Sequence, residues 1–306
     1  MAFRWSIERH LARGGMAEVL LGRAPDGRPV VIKKILPALA SDGAVAAAFA
    51  HESAIGLELK HPNVVEVLEV GEHDATPYIV MEWLDGIDLR VLARELLARR
   101  AQMHPAQAIA IAARVARGLA HAHSLRSKDG TPLGLVHRDV SPHNVFLTRT
   151  GGVKLLDFGV AKTRAIATRS GLIVGKPAYM APEQIEGLRV DGRTDLFALG
   201  VVLWEMLTGR PLWERGSIGA TARAVRDEPA APPSAHAAGV SSELDRLVLA
   251  LLAKFPAARP ASAALAGDTL DRLAGEHGSK DAEFEIAHLV AQHAPAEPHP
   301  HRGTPG

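Results

Sequence analysis

HRDVSPHNVFL at 137–147, followed by KLLDFGVAK at 154–162, is the stretch that decides how this chain is read. Asp139, Asn144 and Asp157 are two carboxylates and an amide, hard oxygen donors at spacings that suit a base and two magnesium ligands. Any one of them alone reads equally well as a turn or cap residue. Three in register, with His137, Arg138, Phe158 and Gly159 around them, do not.

Bulk composition narrows the classes open to the chain. Its 306 residues exceed a usual single domain and suit two lobes around a cleft. With 47% hydrophobic residues it can bury a core, which argues against global disorder. A net charge of +1 argues against a broad basic face for nucleic acid. The absence of cysteine excludes disulfides, thiol catalysis and cysteine-held metal. The N-terminus, MAFRWSIERH, is charged where a secretory leader needs an apolar run. The longest apolar run, LFALGVVLWEML at 196–207, falls short of the roughly 18–20 residues that cross a bilayer, so it is expected as a buried core helix. No membrane contact is expected, and the chain reads as soluble and cytoplasmic.

Residues 1–83 read as a strand-rich unit. MAEVLLGRA (16–24) and RPVVIKKIL (28–36) are strand-like runs separated by a turn at Pro25 to Gly27. Residues 44–59, rich in Ala and Leu and free of Pro, predict a helix, and 64–70 and 77–83 predict two more strands. Residues 84–275 read as mainly helical, with helices over 105–123, 195–208 and 241–254 and a polar loop at 124–134. Ser241 or Ser242 would cap the last of these helices. Residues 276–306 permit one short amphipathic helix, and the Pro- and His-rich end, 294–306, is expected to be disordered. His288, His293, His299 and His301 could bind a metal, but no acidic or Cys partner fixes a geometry, and a solvated tail is the expectation.

Two further features point toward phosphate handling. HLARGGMAEV at 10–19 lies between strand-like runs, where glycines let backbone N–H groups approach phosphate oxygens, although a plain hairpin turn fits the same residues. VVIK at 30–33 leaves Lys33 at the end of an apolar strand, where an ammonium needs a partner or a pocket mouth. Glu52, in the following helix, is the natural partner; an unrelated surface pair is the plain alternative.

The 137–162 stretch resembles the catalytic loop and DFG segment of protein kinases. YMAPEQ at 179–184 and Pro142 resemble the bacterial Hanks-type (eukaryotic-like) serine/threonine branch. The resemblance runs from about residue 6 to 273. It implies an α+β, two-lobed kinase-like fold, with a small β-rich N-lobe holding one key helix and a larger, mainly helical C-lobe. It also implies ATP and Mg2+ as cofactors. Asp139 would act on the attacking hydroxyl, Asn144 and Asp157 would hold magnesium, and Lys33 with Glu52 would orient the α- and β-phosphates. Gly14 stands at the second position of the kinase Gly-rich loop, next to Gly15, with Ala12 and Ala17 at positions that are glycine in the family; Val19 would cap the adenine. Met81 would be the gatekeeper, and Glu82 to Leu84 would offer backbone groups to the adenine. Residues 160–183 resemble an activation loop, with Glu183 paired to Arg259 and Asp195 bracing the catalytic loop. Thr168 and Ser170, ahead of Thr163, are the implied phosphate acceptors, and a phosphate there would order the loop against Arg138.

Two positions depart from that pattern, in opposite directions. Ser141 stands where the family has a lysine touching the transferring phosphate, and Lys176 where it has a threonine. If the two positions face each other, Lys176 restores the missing charge from the loop side, a contribution of roughly 3–4 kcal/mol to the barrier. The implied function is transfer of phosphate from ATP to Ser/Thr hydroxyls of protein substrates, including the chain's own loop. A pseudokinase or nucleotide-binding scaffold is the alternative that Ser141, Ala12 and Ala17 keep open. A small-molecule phosphotransferase fits the metal site but not the APE-type loop. The sequence shows no appended sensor or anchor, so regulation is expected from protein partners or from the activation loop.

Overall fold

The computed structural model describes residues 4–14, 17–40, 43, 49, 53, 55–74, 76–158, 176–277 and 281–294. Five antiparallel strands build the N-terminal sheet: β1 (Ser6–Arg13), β2 (Ala17–Arg23), β3 (Pro29–Ile35), β4 (Val67–His73) and β5 (Thr76–Glu82), in the order β1-β2-β3-β5-β4. The β2–β3 connection is a tight turn because Gly27 takes φ 84 and donates its N–H to the Ala24 carbonyl. The register sets Val19 opposite Lys33 and Lys33 opposite Ile79. Side chains alternate across a strand, so Val19, Val31, Ile79 and Met81 share one buried face, while Leu20, Ile32 and Val80 share the other. A single turn, α1 (Pro37–Ala40), follows β3, and the described residues between 43 and 58 are helical.

The apolar run at 64–70 does not form the strand expected of it as a unit. Val64 and Val65 instead pair with Leu155 of the other lobe, with Val65 N–H donated to the Leu155 carbonyl at 2.9 Å, and β4 begins only at Val67. Both valines are buried at that junction, so the run is divided between an interlobe contact and the sheet.

The larger lobe is helical. It comprises α2 (Leu89–Ala98), α3 (Pro105–His123), α4 (Pro182–Ile185), α5 (Gly192–Thr208), α6 (Ile218–Asp227), α7 (Ser242–Leu251), α8 (Ala263–Glu276) and α9 (Ala282–His293). Local chemistry sets the ends of these helices. Pro105 occupies the first turn of α3, and His104 and Gln107 close a reciprocal cap. Asp191 caps α5, which stops at Gly209 in the left-handed region, and Ser241 Oγ accepts the Leu244 N–H at the start of α7. The apolar run at 196–207 lies inside α5, buried on nearly every face, and α3 packs between it and α8. Among the described residues no helix is long and apolar enough to cross a membrane.

A small sheet, β6 (Gly86–Asp88), β7 (Val145–Thr148) and β8 (Val153–Leu155), lies where the lobes meet. Phe146 and Leu156 from this hairpin join the apolar cluster of the N-terminal sheet rather than that of the helices. The cleft floor is thus made by both lobes together.

Candidate active site

The catalytic-loop residues are held from beneath by α5. Asp195 on its first turn accepts the backbone N–H groups of His137 and Arg138, both at 2.8 Å, and lies 2.7 Å from His123 Nε2. With those donors fixed, Arg138 tolerates a left-handed φ of 65, a strained backbone for a non-glycine residue. His137 is fully buried. Its Nδ1 accepts from the Asp139 N–H, so Nε2 carries the proton and donates to the Leu156 carbonyl at 2.9 Å. One imidazole therefore ties the loop carrying Asp139 to the strand end carrying Asp157.

The carboxylates and amide singled out in the sequence converge. Asn144 Nδ2 donates to the Asp139 carbonyl at 2.8 Å and to Asp139 Oδ2 at 3.1 Å. Asp157, at φ 49, accepts from Lys33 Nζ at 2.8 Å through Oδ1, with both side chains about nine-tenths buried. Lys33 thus meets the Asp of the other lobe directly. Its expected partner, Glu52, lies outside the described residues, as do Gly15, Thr163, Thr168 and Ser170.

Lys176 reaches back into this cluster. Its Nζ lies 3.3 Å from Ser141 Oγ and 3.6 Å from Asp139 Oδ2, so the two family-exchanged positions do face each other. His143 stands in the same group. Burial, aided by the charges of Lys176 and Arg90, pushes it down to about 4, which keeps its imidazole neutral at ordinary pH.

One orphan atom bears on whether the donor set suits magnesium. Asn144 Oδ1 is buried and accepts no hydrogen bond among the described residues. An amide oxygen left in that state beside a carboxylate is costly unless a donor or cation meets it, and all-oxygen donors suit a hard divalent ion. The residues fit such an ion.

On the Met81 and Leu84 side of the cleft, the structure adds two apolar residues that the sequence reading missed. The Glu82 N–H is already donated to the Glu66 carbonyl at 3.0 Å, and its side chain binds Lys154 Nζ at 2.6 Å. Its N–H is therefore already engaged, while the Leu84 backbone makes no hydrogen bond among the described residues. Ala12 lies within β1, opposite Val19, and Gly14 N–H meets the Ala17 carbonyl at 2.9 Å. Phe146 and Leu156 join Val19, Val31, Met81 and Leu84 in one apolar cluster. Phe146 is two residues beyond Asn144 on a strand and Leu156 directly precedes Asp157, so strand alternation was the available signal. Met81 also lines a small apolar cavity of about 30 Å³ behind Asp157, with Ile79 and Phe158.

Beyond the cleft, Glu183 and Arg259 form a buried two-pronged ion pair at 2.6 and 2.8 Å, with Thr194 Oγ1 donating to the same carboxylate. Burial pushes the Glu183 carboxyl up, but the Arg259 bonds outweigh it and hold the group below its usual range. Arg138 Nε is buried with no hydrogen-bond partner among the described residues.

Tyr179, three residues after Lys176, donates to Glu205 Oε2 at 2.8 Å, and burial raises Glu205 to about 7. The folded state thus holds this proton more tightly than the unfolded chain. The resulting stabilisation is full below about 4.5 and is lost as pH rises through about 7. Glu205→Gln is therefore expected to raise the melting temperature at pH 8 and leave it nearly unchanged at pH 5. Equal shifts at the two pH values would refute the assignment.

The protein kinase domain family matches residues 5–269 of this chain. The chain belongs to that family. Among curated relatives, the tyrosine-protein kinase MasK of Myxococcus xanthus is 37% identical over 293 residues, spanning 94% of this chain and 45% of MasK. The serine/threonine-protein kinase PknB of Mycobacterium tuberculosis is 37% identical over 273 residues, spanning 85% of this chain and 41% of PknB. The chain therefore spans under half the length of these relatives. The crystal structure of the M. tuberculosis PknI kinase domain superposes with a TM-score of 0.67 at 30% identity, covering 88% of this chain and 95% of that one. The two-lobed α+β architecture of a Hanks-type bacterial kinase is the fold of this chain.

Proposed function

We propose that this kinase domain transfers the γ-phosphoryl group of ATP to serine or threonine hydroxyls of protein substrates, its own activation loop among them. The observation that carries the reading is the convergence of Lys33, Asp139, Asn144, Asp157 and Lys176 on one cleft. Asp139 accepts and orients the proton of the attacking hydroxyl. Asn144 and Asp157 hold magnesium, which when bound neutralises charge on the phosphate oxygens. Lys33 orients the phosphates. Val19, Val31, Phe146 and Leu156 sandwich the adenine, with the Leu84 backbone at its edge.

Lys176 supplies the cation that Ser141 lacks. The Ser141 hydroxyl leaves room and a hydrogen-bond acceptor for the ammonium, which neighbours Asp139 as the family lysine does by resemblance. Serine or threonine rather than tyrosine is favoured by the YMAPEQ segment and by PknB, against the name of MasK. The orphan Arg138 Nε is the group that a phosphate on Thr168 or Ser170 would meet. A cytoplasmic location, and control by protein partners or by this loop, complete the reading.

Dephosphorylated protein incubated with magnesium and ATP is expected to gain phosphate on Thr168 or Ser170 by peptide mass spectrometry, and the Asp139→Asn variant to gain none. Bound ATP without any gain in mass would turn the reading to a pseudokinase.

A further inference from the structure

Helix α9 lies beyond the residues that match the kinase family, which end at 269. Asp281 caps it, accepting the Phe284 N–H at 3.0 Å, and Ile286, Leu289, Val290 and His293 form a single buried stripe at helical spacing. That stripe packs on α3, on β7 and on the end of α2.

Both ends of α9 are fixed. Arg99, just past α2, donates to the Gln292 carbonyl at 3.1 Å. At the other end, the β7–β8 turn meets the first turn of α9 backbone to backbone. Gly151 there has φ 87, and a Cβ on it would stand 2.0 Å from the Glu283 carbonyl oxygen. That position excludes every side chain twice over, by conformation and by space.

The turn is one end of a short stiff lever. Thr148 N–H bonds the Gly152 carbonyl at 2.8 Å, and Gly152 N–H bonds Thr148 Oγ1 at 2.8 Å. At the other end, Leu156 N–H bonds the Asn144 carbonyl at 2.9 Å. Asn144 directly precedes β7, and Asp157 lies two residues beyond β8. Tilting the turn therefore moves the two candidate metal ligands together.

We propose that α9 is a positioning brace for this hairpin: seated on Gly151 at one end and on Arg99 at the other, it holds β7–β8 at the tilt that presents Asn144 and Asp157 to a divalent cation. The inference rests on the reading of those two residues as metal ligands. It assigns α9 a share of the metal site without direct contact, as the outer partners of metal ligands have elsewhere.

The test measures affinity for a fluorescent ADP analogue with excess EDTA and again with magnesium chloride, all in the full chain. Ile286→Asp combined with Leu289→Asp undocks α9 and is expected to cut the magnesium-dependent gain about tenfold, with the EDTA affinity unchanged. Arg99→Ala is expected to cut it about threefold. Phe284→Asp, on the exposed face of α9, leaves it as in the native chain. A purely structural role would lower both affinities together, and that result overturns the proposal. So does a native gain that survives both undocking variants. If the double variant does not fold, Arg99→Ala decides alone. A native chain with no magnesium-dependent gain would instead sink the metal assignment, and this inference with it.

Discussion

Lys176→Met is expected to lower the turnover number by about 10²- to 10³-fold while leaving the KM for ATP nearly unchanged. The argument starts from charge. A phosphoryl group in transfer develops negative charge on its oxygens, and a pre-placed ammonium in a water-poor cleft stabilises that charge without reorganisation. The family places that ammonium two residues after the catalytic Asp; here Ser141 is buried in that position and Lys176 Nζ lies 3.3 Å from its hydroxyl. The stabilisation grows only as charge develops, so its loss appears in turnover rather than in binding. The exchange variant, Ser141→Lys with Lys176→Thr, returns the family arrangement and is expected to recover at least about tenfold of the loss. Steady-state kinetics on a peptide acceptor, beside Asp139→Asn, checks both. Unchanged turnover in Lys176→Met, with Asp139→Asn inactive, would show that Lys176 only decorates the cleft.

Arg259→Ala is expected to cost about 3–5 kcal/mol of folding stability. Its guanidinium bonds Glu183 twice and also donates to the carbonyls of Arg193, Ala253 and Lys254. Removing it strands a buried carboxylate and three acceptors at once. The sign with pH follows from Glu183, whose folded pKa is lowered: its stabilising contribution is present above the ordinary carboxylate range and lost as pH falls through the folded value. Without Arg259 the variant should gain less from raising the pH than the native chain does. Thermal melts at pH 7 should fall on the order of 10 °C. A melt within about 2 °C of native would mean that water or a shifted Lys254 takes over the carboxylate.

Several of these features are legible in the amino-acid sequence. The helix at 105–123 ends where its sequence says, because a capping residue, a proline in the first turn and an apolar pattern all act within a few residues. The turn at Pro25 to Gly27 is read the same way, since Gly27 supplies the positive φ that the hairpin needs. The helices expected from 195 and 241 start at 192 and 242, set by Asp191 and Ser241 as caps. The catalytic loop is legible for a different reason: its chemistry needs fixed residue types at fixed spacing on one short segment.

The remaining features depend on which surfaces meet. Nothing in the apolar run at 64–70 tells that Val64 and Val65 will cover Leu155 while the rest joins a sheet, because both uses reward the same side chains. That the Glu82 N–H is taken up by the Glu66 carbonyl is likewise hidden until the two segments are laid side by side. Phe146 and Leu156 are core residues, but of the cluster of the opposite lobe.

By itself, then, the sequence determined the fold family and named Asp139, Asn144, Asp157 and Lys33 as candidates, because these rest on local pattern and on chemistry carried by contiguous residues. Tertiary structure alone decided that Lys176 meets Ser141 across 35 positions of chain, and that α9 closes on Gly151. Such contacts depend on close packing of surfaces far apart in sequence, where a fraction of an ångström separates a fit from a clash.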